Sequence, residues 1–192
     1  LNMGLPLVTK AEYKAYSGIT STNSDIKIDA LIPQVSALVK AICGRSFVDY
    51  VATPKVEYHN GGTGNIVLAE SPIISITSIE QSIDYGITYT ALTNGVESVF
   101  DKTTGSIKYL RGEVFPYLIN GYKVTYLAGY SVLPDDLRLA IMDLIAYYIK
   151  NDGAVHSSKA PSSNVVQVEY VTSTNLPGHI KRILDLYTES YS

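Results

Sequence analysis

The sequence predicts an α+β protein, in which a small helical bundle carries an inserted antiparallel β region and a short C-terminal helix on an arm. Apolar residues recur at helical spacing near both ends of the chain. The middle instead shows period-two alternation of apolar and polar residues, interrupted by Gly and Asn clusters. Two helices before the β region and one after it would form the bundle. The 192 residues are 46% hydrophobic and 17% charged, which is enough for a packed core.

The first predicted helix spans residues 10–17. Thr9 and Glu12 have the spacing of a capping box, in which each side chain binds the backbone N–H of the other residue. Gly18 is the expected end of the helix, because glycine readily adopts the left-handed conformation that closes many helices.

The second predicted helix spans residues 25–43 and has the stronger apolar stripe. Its members recur at spacings of three and four: Ile28, Leu31, Ile32, Val35, Leu38, Val39 and Ile42. Gly44 is the expected stop. Pro33 removes one backbone hydrogen bond inside this stretch, but the apolar period continues across it. We therefore expect one kinked helix rather than two.

Residues 55–130 are predicted to form antiparallel strands, with the clearest alternation at 122–127 and 74–77. A Gly-rich run at 60–65 separates two of the strands. No Lys-Ser or Lys-Thr pair follows this run, which argues against a phosphate-binding loop, and we expect a flexible hairpin tip there. Gly129 is expected to permit a tight turn after the last strand.

A third helix is predicted at residues 134–150. Pro134 suits its first helical position, and Asp136 lies near the positive end of the helix dipole. Ala140 would allow close packing against another helix.

These elements place a core domain at residues 1–153. Residues 154–192 follow as a long loop and a short final helix that opens at Leu176 and Pro177. Loops of that length usually carry function or mobility.

Side chains that carry chemistry are few and scattered. His59, His156 and His179 lie in three different elements, and none has a second ligand three or four positions away. Cys43 lies on the apolar face of a helix, where a buried, inert thiol is expected. We therefore predict no catalytic residues, no metal site and no cofactor, and we do not expect an enzyme.

Charge and hydropathy exclude further classes. The formal net charge is −3, so the chain lacks the overall basic charge with which proteins grip nucleic acid. No stretch approaches the about 20 apolar residues of a membrane span, and the first residues lack a signal-peptide pattern. We expect a soluble protein made in the cytoplasm.

The chain has 16 Tyr residues, against 3 Phe and no Trp. Tyrosine combines a large apolar area with a polar tip, which suits surfaces that become buried in a complex. A β-rich domain that uses tyrosine in its strands would show the same bias. Both interpretations remain open on the sequence.

Five short motifs follow one another along the chain: CGRSF at 43–47, ESPIISITSI at 70–79, VTYLAGY at 124–130, PDDLRLAI at 134–141 and LP at 176–177. In this order and spacing they resemble the head–tail connector (adaptor, neck) family of tailed bacteriophages, over about residues 8–187. Two features depart from that pattern: Pro33 in the long helix, and a region from about 80 to 120 that is longer than the family core needs.

The resemblance implies a homo-oligomeric ring, usually of twelve copies, in the virion neck. The ring would dock beneath the portal protein, extend the DNA channel, help to retain DNA and offer a surface to a stopper or tail protein. DNA would pass through the lumen without specific binding, since an acidic ring repels it. No membrane partner is implied.

The resemblance also assigns positions. The portal-binding set, taken from position alone, is Leu176, Pro177, Ile180, Arg182, Ile183, Leu184, Tyr187 and Tyr191. The structural positions are Thr9, Glu12, Gly44, Arg45, Gly129, Pro134, Asp136 and Ala140. Among these, Arg45 follows the end of a helix, where a guanidinium can meet unpaired carbonyls.

Two other functions stay open on the residues alone. A carbohydrate- or host-surface-binding β module of a phage tail would also use exposed tyrosines, which stack on sugars. A small hydrolase would need a His and a carboxylate that converge in space, which the sequence does not reveal.

Overall fold

The computed structural model describes residues 4–93, 95–101, 105–112, 114–150, 155–158, 167–170 and 176–188. The chain divides into two compact units: a helical unit, Leu1–Gly44 with Leu133–Ser192, and a β unit, Arg45–Val132. This division differs from the predicted boundary at residue 153, because the final helix packs with the other helices. The α+β class is confirmed.

The helical unit has four described helices: α1 (Lys10–Ser17), α2 (Asp25–Cys43), α3 (Asp135–Lys150) and α4 (Gly178–Tyr187). The predicted bounds of α1 and α2 are confirmed. Both α1 and α4 pack against α2 and α3, which also pack against each other. The helices bury apolar stripes that include Ile28, Val39, Leu137, Ala140, Ile141, Leu144 and Ile145.

Local capping explains where the first two helices begin and end. The Thr9 hydroxyl accepts from Glu12 N at 3.2 Å, and Glu12 Oε2 accepts from Thr9 N at 2.7 Å, which confirms the capping box. Gly44 ends α2 in the left-handed conformation, with its N–H bonded to Lys40 O. Pro33 lies inside α2, which is one helix rather than two, as expected, and the kink at Pro33 stays a prediction.

The start of α3 corrects one prediction. Pro134 is the residue before the helix rather than its first residue, and its carbonyl accepts the Arg138 N–H at 2.9 Å. A shift of one residue at a helix end is within the usual uncertainty of such boundaries.

The long loop predicted after residue 153 contains regular structure. Two strands, β8 (Val155–Ser158) and β9 (Gln167–Tyr170), pair antiparallel.

The β unit has seven described strands: β1 (Lys55–His59), β2 (Asn65–Val67), β3 (Ile73–Gln81), β4 (Thr90–Ala91), β5 (Ser98–Asp101), β6 (Ser106–Tyr109) and β7 (Tyr122–Ala128). They form two antiparallel sheets with strand orders β1-β7-β3-β4 and β2-β6-β5. Residues of both sheets and of the segments next to them form one core: Ile66, Leu68, Ile79, Ile107, Phe115, Tyr122, Val124, Tyr126 and Ala128.

The Gly-rich run at 60–65 is not a flexible hairpin tip, because the strands it joins, β1 and β2, belong to different sheets. The amides of Gly61 and Gly62 donate to the carbonyls of Leu118 and Phe115, at 3.2 and 2.7 Å. A Cβ atom on Gly61 would lie 1.8 Å from the carbonyl oxygen of Pro116. Glycine is required at this position so that two backbone segments can touch.

Gly129 follows β7 and allows two backbone segments to approach closely, a role that the sequence did not predict. Its φ is +110°, and a Cβ atom there would lie 2.2 Å from Phe47 O. Arg45 donates a 2.6 Å hydrogen bond to Ser71 Oγ. Its predicted contact with the carbonyls that end α2 stays a prediction.

Candidate interaction surfaces

The C-terminal helix α4 lies on the helical unit by one face. Ile180 and Leu184, one turn apart, are each 1% exposed. The Leu184 carbonyl accepts a 3.7 Å contact from the thiol of Cys43, which is fully buried. The predicted apolar face of α4 therefore serves the protein's own core.

Polar contacts fix both ends of α4. The Tyr187 hydroxyl donates to Asp136 Oδ1 at 2.6 Å, and this bond is the main reason that the pKa of Asp136 is lowered. At the other end, His179 Nε2 lies 3.6 Å from Asp143 Oδ2. Asp143 Oδ1 also accepts from the Tyr16 hydroxyl at 2.6 Å, so the same carboxylate connects α1 to α3.

The structure thus divides the predicted portal-binding set. Ile180 and Leu184 are buried, whereas Leu176, Pro177, Ile183 and Tyr187 are half-buried and Arg182 is exposed. Tyr191 lies outside the described residues. Leu186, which the sequence did not single out, is 74% exposed. Together with Arg182 and the exposed Lys181, it forms the outward face of α4.

A second candidate surface is the apolar loop, residues 82–88 of the β unit, between β3 and β4. Ile83, Tyr85 and Ile87 are 81%, 72% and 81% exposed. Large apolar side chains exposed together mark interaction sites. In the sequence, these apolar residues alternate with Asp84 and Gly86. That pattern indicates a turn, but it does not show whether the apolar side chains are buried or exposed.

Asp84 holds the apolar loop in one conformation. Its Oδ1 accepts from Ser82 Oγ at 2.6 Å and from the amides of Ile87 and Thr88 at 3.1 and 2.8 Å. Hydrogen bonds from Ser82 and then Thr88 are the main causes that hold the Asp84 pKa far below its ordinary value. The loop is therefore preorganised, and its one carboxylate is occupied within the loop.

A third candidate surface, the α2–α3 groove, lies within the helical unit. Its volume is about 240 Å³, and its lining is Leu31, Gln34, Val35, Leu38 and Tyr148. The four α2 residues follow helical spacing along one face, and none of the described residues that line the groove is charged. An apolar cavity of about 150 Å³ is enough to bind benzene, so this groove can accept a large side chain.

Ionisable groups converge at one place in the β unit. Glu57 Oε1 accepts from the Tyr126 hydroxyl at 2.6 Å and lies 2.8 Å from Lys55 Nζ. Glu57 Oε2 accepts from the Ala69 amide at 3.2 Å. His59 Nε2 lies at the same distance from Oε2, but without the alignment of a hydrogen bond.

Burial alone would raise the pKa of Glu57. The His59 ring, the Lys55 ammonium and the Tyr126 hydroxyl outweigh burial and hold that pKa at about 2. A carboxylate with such a low pKa, whose two oxygens are both occupied, is a poor general base near neutral pH. This cluster is a structural clamp.

Within the described part of the chain, no group of three or more His, Cys, Asp or Glu side chains could hold a metal ion. Cys43 is buried, as predicted. None of the described helices combines the length and the apolar character needed to span a membrane.

Comparison with known proteins identifies the class of this molecule. The model of the head completion protein family matches residues 6–189. The chain therefore belongs to the head completion protein family, whose members are structural proteins of phage particles rather than enzymes. The resemblance drawn from the five sequence motifs is confirmed.

Solved structures with the same fold come from gene transfer agent particles. A chain in the neck of an empty gene transfer agent particle, computed with C6 symmetry, is 15% identical. That match covers 97% of this chain and 91% of the other, with a TM-score of 0.61. A chain in the native neck, computed with C12 symmetry, is 16% identical over 95% and 88% of the two chains, with a TM-score of 0.59.

A third structural match is a chain in the virion of the native gene transfer agent particle. It is 16% identical over 97% and 91% of the two chains, with a TM-score of 0.62. Identities at this level show a shared fold. No curated protein matches the chain in sequence.

Proposed function

We propose that this protein forms a closed ring in the neck of a tailed phage or phage-like particle, beneath the portal protein. The ring extends the DNA channel, helps to retain packaged DNA and provides the surface on which a stopper or tail protein assembles. The observation that carries this proposal is the family match over residues 6–189. The fold shared with chains of C6 and C12 necks supports it.

The outward face of α4 is the proposed portal contact. Because Ile180 and Leu184 remain on the protein's own core, binding uses the exposed Lys181, Arg182 and Leu186. Lys181 and Arg182 suit acidic groups on the partner surface, and Leu186 suits an apolar patch beside them.

Deleting the gene tests the proposal in the particle. Without this protein, heads fill with DNA, fail to keep it and do not join tails. Electron microscopy of the lysate and the DNA content of purified heads measure both effects. Tailed, infectious particles produced at normal yield by the deletion strain would refute the proposal.

The contact made by α4 has its own test. Arg182→Glu and Leu186→Glu should each weaken capture of the protein by purified portal rings. Thr20→Glu is the matched control for Leu186→Glu, because it adds the same single negative charge at an exposed position in the loop between α1 and α2. Equal loss of capture in all three variants would show that α4 is not the contact.

The alternative function is a β module that binds saccharides. Its supporting observation is that Tyr85 and Tyr117, which could stack on sugars, are 72% and 71% exposed. Family membership favours the neck over this alternative. Titration with host-surface saccharides should show no binding.

A further inference from the structure

The apolar loop and the α2–α3 groove are both apolar surfaces, one with exposed large side chains and the other with room to accept such a side chain. The loop presents Ile83, Tyr85 and Ile87 on a backbone fixed by Asp84, and the groove offers a concave apolar lining of about 240 Å³. One surface offers exposed side chains and the other a recess, and they belong to different units of the chain. A chain that carries both has what a head-to-tail contact between copies requires.

Charge favours a second copy as the occupant of the groove. Each chain has a formal net charge of −3, so identical copies repel each other wherever charged surfaces meet. Contact between copies is least opposed where both surfaces are neutral. Among the described residues, no charged side chain lines the groove, and the carboxylate of Asp84 is satisfied inside its own loop.

Ring geometry requires this kind of contact. In a ring with more than two copies, each chain uses two different patches, one for each neighbour. A rigid loop loses little conformational entropy on insertion, which favours it over a mobile one. We infer that the apolar loop of one chain inserts into the α2–α3 groove of the next copy, so that the two surfaces together form the interface between subunits of the ring.

This inference rests on the proposed function and can be tested by directed cross-linking. Particles are produced from a mixture of two chains, one with Ile87→Cys in the loop and one with Gln34→Cys in the groove. A disulfide forms only when the two Cα atoms lie within about 7 Å. The expected result is a covalent dimer on a non-reducing gel after mild oxidation. The native Cys43 is fully buried and does not compete.

Val96→Cys is the matched control for the loop. Val96 is 59% exposed and lies in a different turn of the β unit, between β4 and β5. Mixed with Gln34→Cys chains, it should give no dimer. Particles made from each cysteine variant alone show whether dimers form between like positions.

Each outcome decides the question. A dimer confined to the Ile87→Cys and Gln34→Cys mixture supports the inference. Rings of normal size without that dimer, or equal dimer with Val96→Cys, would overturn the inference and leave the proposed function standing. A cross-link from Ile87→Cys to a different neck protein would assign the loop to that protein instead. Particles with no ring of this chain would overturn both proposals.

Discussion

The hydroxyl of Tyr126 donates a 2.6 Å hydrogen bond to Oε1 of Glu57, between the adjacent strands β7 and β1. Tyr126 is fully buried, and its oxygen also accepts the amide of Glu70 at 3.2 Å. Glu70 in turn accepts from Ser46 N and Ser46 Oγ, at 3.0 and 2.8 Å. The Tyr126 side chain therefore connects β7 to β1 and to the segment before β3. Glu70 links Ser46 to the same network.

Replacing Tyr126 with Phe should destabilise the protein. The change removes a hydrogen bond to a charged acceptor and leaves the Glu70 amide without this partner, at a cost of about 1–3 kcal/mol. Urea denaturation measures the loss. Tyr109→Phe is the control, because Tyr109 packs on Phe115 and its hydroxyl has no hydrogen bond among the described residues. Equal losses in the two variants would contradict the role given to Tyr126.

Acid should remove stability that depends on Glu57. Its pKa is lowered in the folded protein from an ordinary value near 4.5 to about 2, so the stabilisation is complete above the ordinary value. This contribution to the free energy of unfolding is about 3 kcal/mol. It is lost as the pH falls through the pKa that Glu57 has in the folded protein. Denaturation midpoints measured between about pH 5 and pH 2 should fall less steeply for Glu57→Gln than for wild type. Parallel pH profiles would show that Glu57 is not the group responsible.

Gly61→Ala should disrupt the crossing between the two sheets. The added methyl group would lie 1.8 Å from a backbone carbonyl that cannot move aside, so we expect a loss of about 1–3 kcal/mol or more. Thermal unfolding checks this. At Gly112 the nearest atom to an added Cβ is 3.8 Å away, in the Tyr109 ring, so Gly112→Ala should be tolerated. A stable Gly61→Ala variant would mean that the run at 60–65 is loose after all.

Leu184 and Leu186 form a matched pair on α4. Leu184→Ala empties a buried position and should cost about 2–5 kcal/mol, whereas Leu186→Ala on the exposed face should change stability by no more than about 0.5 kcal/mol. The reactivity of Cys43 reports whether α4 has loosened from the core, because α4 covers the Cys43 thiol. The rate of Cys43 modification by a thiol reagent should rise in Leu184→Ala alone. A fast rate in wild type would show that α4 does not rest on this core.

The helices were the most predictable part of the fold, because their signals are local. Thr9 and Glu12 begin α1, and Gly44 ends α2 in the left-handed conformation. The start of α3 was placed one residue early, since Pro134 suits both the first helical position and the residue before it.

The arrangement of the strands depends on contacts that period-two patterns do not encode. Alternation located the strands but not their partners, so the separation of β1 and β2 into different sheets was not foreseen. Gly61 touches Pro116 across a long stretch of sequence, and Glu57 meets Tyr126 in the same way. Such pairs become visible only once the register of the strands is known.

The candidate surfaces were predicted in part. Helical periodicity identified the apolar face of α4 but not the surface against which it packs. In the structure, Ile180 and Leu184 are buried in the protein's own core. The apolar loop was included only as part of an unassigned region at 80–120. Exposure decides which apolar residues form an interaction surface, and exposure is a property of the folded chain.

Cryo-electron microscopy of the neck of particles that carry this chain tests the central claim most directly. The account predicts a closed ring of this protein beneath the portal, with the outward face of α4 against the portal and its inner face on its own core. A neck that assembles fully without this chain, or density that places the chain elsewhere in the particle, would contradict it.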